Sequence, residues 1–65
     1  MKQPIEKGAL VVVYGRRDII PRVIDVNYVD CEARWVITLD WGEFGLSRVY
    51  DHDEDKVWYR YSSAN

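Results

Sequence analysis

Apolar and polar residues alternate along most of this chain in short segments, with few stretches long enough to pattern as helix. From Ala9 to Tyr14 nearly every position is apolar, which predicts a strand covered on both faces. A second strand is predicted over about Pro21 to Tyr28. There Ile24, Val26 and Tyr28 fall on one face and Val23, Asp25 and Asn27 on the other. The third, Arg34 to Leu39, sets Trp35, Ile37 and Leu39 against Arg34, Val36 and Thr38. A fourth runs over about Leu46 to Tyr50. A fifth runs over about Lys56 to Tyr61, where Val57, Tyr59 and Tyr61 alternate with Trp58 and Arg60.

Polar segments separate these runs. Gly15-Arg16-Arg17-Asp18 reads as a loop, and Asp30-Cys31-Glu32 as a turn. Asp40-Trp41-Gly42-Glu43-Phe44-Gly45 carries two glycines that permit a tight reversal. Asp51 to Asp55 reads as a loop or a single helical turn, and Ser62 to Asn65 as a frayed tail. Five strands joined by short turns must bury their inner faces. In one small domain the economical answer is a strongly bent sheet closed into a barrel, with glycines 15, 42 and 45 at its corners. The expectation is an all-β fold: one domain over residues 1–65, with its core at about 8–61. An oligonucleotide-binding barrel competes, but no segment here supplies the helix it usually carries between its third and fourth strands.

Length and composition sharpen this picture. A chain of 65 residues holds one small core, burying only about 60% of the unfolded chain's surface. Packing must hold it together, because the single Cys31 allows no internal disulfide. A lone thiol also fits a reducing, intracellular compartment. Cys31 with the single His52 cannot furnish a structural zinc site, so no metal or cofactor is expected. Three Trp, five Tyr and one Phe supply large apolar areas for so small a core. No apolar run nears about 20 residues, so no membrane span is expected, and the opening Met1-Lys2-Gln3-Pro4 leads into no signal-peptide pattern.

Catalysis is not expected. One cysteine and one histidine, far apart in sequence, make a weak case for a nucleophile and its base. Asp51, Asp53 and Asp55 resemble the opening of a calcium loop, but the glycine and glutamate such a loop requires are replaced by Lys56 and Ser62. The glycines build no phosphate-cradling motif.

Aromatic residues at strand ends are the informative feature. Tyr14 ends the first strand, Trp41 and Phe44 sit in the loop after the third, and Tyr50 closes the fourth. Asp40, Glu43 and Asp51 stand beside them. Ring faces with carboxylates nearby attract weakly hydrated cations. The expected ligand-binding rim is Tyr14, Asp40, Trp41, Phe44 and Tyr50, while Trp35 is expected in the core and Tyr50 and Trp58 fit either place.

Gly8-Ala9-Leu10-Val11-Val12-Val13-Tyr14, Ile20-Pro21-Arg22-Val23-Ile24-Asp25-Val26 and Trp35-Val36-Ile37-Thr38-Leu39-Asp40, followed by an aromatic loop, together resemble a Tudor domain. Ser47-Arg48-Val49 is also similar to the last part of chromo-barrels. The resemblance spans about residues 8 to 58 and implies a five-stranded SH3-like barrel. It implies a non-enzymatic reader of methylated lysine or arginine on histone tails and other proteins, hence the nucleus. Tyr14, Phe44 and Asp40 match places of the family's aromatic cage. Two further cage places hold Ile20 and Leu39, with Trp41 available to substitute for one ring.

Two other roles stay open at this point. Arg16, Arg17, Arg22, Arg48 and Arg60 offer a basic surface for nucleic acid, set against an acidic pI of about 5.2. A barrel of this size also suits a docking role in a larger protein or assembly. In isolation a monomer is expected.

Overall fold

The computed structural model describes residues 2–61, so the expected frayed tail lies outside the described residues. Five strands occur in the predicted order: β1 (Val11–Val13), β2 (Arg22–Val29), β3 (Arg34–Asp40), β4 (Leu46–Tyr50) and β5 (Trp58–Arg60). Single 3-10 turns follow β2, β3 and β4, at Asp30–Glu32, Gly42–Phe44 and Asp51–Asp53. The fold is thus mostly β, as the alternation predicts.

The closed five-stranded cylinder is not what forms. The strands make two antiparallel sheets, one of β1 with β5 and one of β2, β3 and β4 in that order. The reason lies in the short first and fifth strands. Asp55 adopts a left-handed backbone (φ 71), and the Asp53 carbonyl accepts from the N–H groups of both Lys56 and Val57. That tight turn takes up both N–H groups, so Val57 gives the ladder only its carbonyl, which accepts the Tyr14 N–H at 2.8 Å, and β5 begins at Trp58. The sheets still meet at the entry to β2. There the Gly8 N–H donates to Val23 O at 2.8 Å, and the Val23 N–H donates to Ala9 O at 2.8 Å.

A bulge alters the expected facing of β2. Val23 pairs with Leu39 and Asp25 with Thr38, which leaves Ile24 as the extra residue. Val23 and Val26, three positions apart, therefore both point inward, and Ile24 turns outward with 39% of its surface exposed. Strict period-two reading fails at this point and holds again from Val26 to Tyr28.

The core consists of Ile5, Val11, Val23, Val26, Ile37, Leu39, Val49 and Trp58. Ile5 precedes the first expected strand, yet it is buried. The large ring at the centre is Trp58, with no exposed surface, and its indole Nε1–H donates to the Tyr50 carbonyl at 2.8 Å. Trp35, expected in the core, is instead half-buried at its margin, edge-on to Tyr28 at 5.4 Å between ring centroids. It pairs with Tyr28 of β2 in the row of the β2–β3–β4 sheet nearest the Asp51 turn.

Asp51 terminates the β3–β4 hairpin with a side chain. Its Oδ1 accepts the Trp35 backbone N–H at 3.1 Å, taking the place that a backbone carbonyl would hold had the strand continued. A domain of this size has a stability of about 3–10 kcal/mol, so single contacts of this kind matter. Asp51→Ala, which leaves that part-buried donor unmatched, is expected to destabilise by about 1–3 kcal/mol. Asp51→Asn keeps an acceptor oxygen and should lose clearly less. Urea denaturation of the two variants side by side is the check.

Candidate functional site

The β3–β4 connection is built to hold two rings at the surface. Gly42 (φ 71) and Gly45 (φ 93) take left-handed conformations that a side chain would disfavour, and these reverse the chain within a few residues. The Asp40 Oδ1 accepts the Gly42 N–H at 2.8 Å, and the Trp41 N–H closes the hairpin on Gly45 O at 2.8 Å. Trp41 packs one side of its indole against the core, while its Nε1–H donates to Ser47 Oγ at 2.6 Å. Phe44, three residues on, is 63% exposed.

A cation already occupies this pair. The Arg16 guanidinium carbon stands 5.4 Å from the Trp41 ring centroid and 5.9 Å from that of Phe44. Arg16 comes from the β1–β2 loop, where its N–H donates to Val13 O at 3.0 Å and Gly15 (φ 88) turns the chain. Asp18 stands 3.9 Å from Arg16 Nε, a loose exposed ion pair. A guanidinium is planar and weakly hydrated, and it gains about 0.5–1 kcal/mol from each ring face at an exposed site.

The other expected rim residues fall into separate settings. Tyr14 lies 5.2 Å from Tyr59 between ring centroids and carries the Arg17 guanidinium at 5.4 Å. It shares the β1–β2 loop with Arg16. Tyr50 stands at the far end of β4, opposite Val36, whereas Leu46 at the near end pairs with Asp40. Four residues of strand, roughly 13 Å, separate it from the Trp41 loop. The Arg34 guanidinium covers Tyr50 at 3.7 Å. A hydrogen bond from Arg34 Nε to Glu32 Oε1 at 2.6 Å raises the Arg34 pKa above its ordinary value. Trp41 and Phe44 therefore share one cation, Tyr14 lies on the adjoining loop, and Tyr50 forms a second cation–ring pair elsewhere. Asp40 spends one carboxylate oxygen on the loop backbone.

Sequence reasoning names the rings but misses the arginines seated on them. The signal lies in the Tyr14-Gly15-Arg16-Arg17 run, a loop that places two arginines next to a strand-end ring. Ser47, which orients Trp41, carried no sequence signal beyond its hydroxyl. The remaining arginines are dispersed: Arg22 donates to Gly8 O at 3.3 Å, Arg60 donates to Pro4 O at 2.7 Å, and Arg48 lies in the middle of β4. Among the described residues no group of three or more His, Cys, Asp or Glu is placed to share a metal ion, and Cys31 is exposed.

Comparison of the chain with protein-family models, curated proteins and solved structures finds no match.

The arrangement predicts linked behaviour of the Trp41 indole. Arg16→Ala and Ser47→Ala should each shift the Trp41 Nε1–H cross-peak in a proton–nitrogen correlation spectrum. The Trp58 Nε1–H peak, buried on Tyr50 O, should stay in place in both variants.

Proposed function

We propose that this chain is a non-enzymatic binding module of SH3-like, Tudor-like type that recognises a cationic side chain of a protein ligand between Trp41 and Phe44. One observation carries the reading: the domain's own Arg16 sits across these two rings. The distances that hold Arg16 suit the guanidinium or methylated ammonium of a partner equally well, since both are poorly hydrated cations attracted by a ring's negative face. The fixed indole supports the same reading. Ser47 and the core hold Trp41 in place, so little conformational freedom is lost on binding.

In this reading Arg16 is the resting occupant and a basic peptide displaces it. Phe44, largely exposed, is the outer wall against which the incoming group packs. The antiparallel five-strand order and the meeting of both sheets at β2 support the SH3-like assignment. Tyr14, with Arg17, borders the site from the β1–β2 loop. A basic or methylated peptide, such as a histone tail, is the ligand class that fits, and an exposed free thiol at Cys31 suits a reducing compartment.

Isothermal titration with arginine-containing, methyl-arginine, methyl-lysine and unmodified lysine peptides tests the proposal. Trp41→Ala should abolish the heat. Arg16→Ala removes the competitor and should tighten the best peptide by about two- to five-fold, the equivalent of one exposed cation–ring contact. Absence of heat with every peptide at millimolar concentration, for the native chain and for Arg16→Ala alike, would overturn the reading.

A further inference from the structure

The hydrogen-bonding parity of the β3–β4 hairpin shows which backbone groups of β4 are already used. Trp41 N–H is bonded to Gly45 O, which makes Trp41 and Gly45 a hydrogen-bonded pair. In an antiparallel ladder bonded and non-bonded pairs alternate. Leu39 with Ser47 and Ile37 with Val49 are then bonded pairs, while Asp40 with Leu46, Thr38 with Arg48 and Val36 with Tyr50 are not. Two independent contacts follow the same parity. Asp51 meets the Trp35 N–H on the β4 side, and the Tyr50 carbonyl, facing away from β3, accepts Trp58 Nε1–H.

The N–H and C=O of Leu46, those of Arg48, and the N–H of Tyr50 therefore point out of the sheet edge. Among the described residues no strand pairs there. Leu46, Ser47 and Arg48 are all exposed, Leu46 to 64%. Arg48 forms no ion pair among the described residues.

We propose that β4 is a docking edge for an extended segment of a partner protein, added antiparallel with an acidic residue opposite Arg48 and apolar residues two positions to either side. The outward backbone groups supply the ladder. The side chains set the pattern: Leu46, Arg48 and Tyr50 share one face, so the partner residues opposite them also alternate on one face. Charge argues against a second copy as the occupant. Two-fold pairing of β4 with itself about its centre would set Arg48 against Arg48, and like charges directly opposite are destabilising. An acidic residue in that place turns the same side chain from a barrier into a selector. This edge begins beside the Trp41 loop, but its outward backbone groups are separate from the Arg16 site, and docking on them does not rest on that site.

The probes are the capped peptide Thr-Val-Thr-Glu-Thr-Val-Thr and its counterpart with lysine at the centre, added to the full chain and followed by residue-resolved amide hydrogen exchange. With the glutamate peptide at saturation, the amides of Leu46, Arg48 and Tyr50 should slow at least tenfold, and the lysine peptide should have little effect. Arg48→Glu should invert this preference. Arg48→Pro removes the outward N–H together with the Arg48 side chain, spares the bonds to β3, and should abolish slowing by either peptide, whereas Arg48→Glu keeps the N–H and changes only the preference. Equal effects of the two peptides, or none at millimolar concentration, would overturn the proposal. So would protection of the same amides in the free protein. If that protection rose with protein concentration, a second copy covers the edge; if it did not, the chain covers its own edge.

Discussion

The Trp58 side chain is the contact on which the two sheets depend. It rises from a strand of three residues, is fully enclosed, and satisfies its one polar group on the carbonyl of Tyr50, the last residue of β4. A buried indole with an unmatched N–H would carry a desolvation cost comparable to the gain of a hydrogen bond. The contact therefore specifies where β5 lies as well as stabilising it. Val11 and Ile5 join Ile37, Leu39, Val49 and Trp58 in one core. The backbone bonds of Val23 with Gly8 and Ala9 join the sheets at the entry to β2, and Trp58 adds the enclosed side-chain contact between them.

The surface chemistry repeats one device. Three arginines lie over rings: Arg16 over Trp41 and Phe44, Arg17 over Tyr14, and Arg34 over Tyr50. Guanidinium groups shield aromatic faces that would otherwise meet water, without removing them from use. Only one of the three sets brings two rings to the same cation on loops tied down at both ends. That difference, more than aromatic content, separates the Trp41 loop from the Tyr50 face. The chain's acidic balance keeps its surface as a whole from turning basic despite these ring-bound arginines.

Much of the architecture was legible in the sequence because alternation reports directly on which face of a strand is buried. β3 and β4 matched to within a residue, and the three connecting turns fell where polar residues cluster. What escaped the pattern had local causes. The bulge at Ile24 depends on pairing partners and not on hydrophobicity, so nothing in Val23-Ile24-Asp25-Val26 announces it. The ends of β1 and β5 were set by a left-handed Asp55 and by hydrogen bonds to Asp53. Trp35 and Trp58 both lie on alternating strands, and alternation alone does not say which of them is enclosed. Of the candidate site, the ring positions were readable. Their grouping was not, because alternation does not say how the strands curl, and here Tyr50 stands at the end of β4 far from the Trp41 loop.

The pairing of Val11 with Arg60 has a kinetic consequence. The β2–β3–β4 meander joins neighbours along the chain and can assemble from local encounters. The β1–β5 ribbon must instead join residues about fifty positions apart, a closure that local encounters along the chain cannot supply. The outer ribbon, not the meander, sets the pace of assembly, and Trp58 reaches its enclosure only when that long loop is shut.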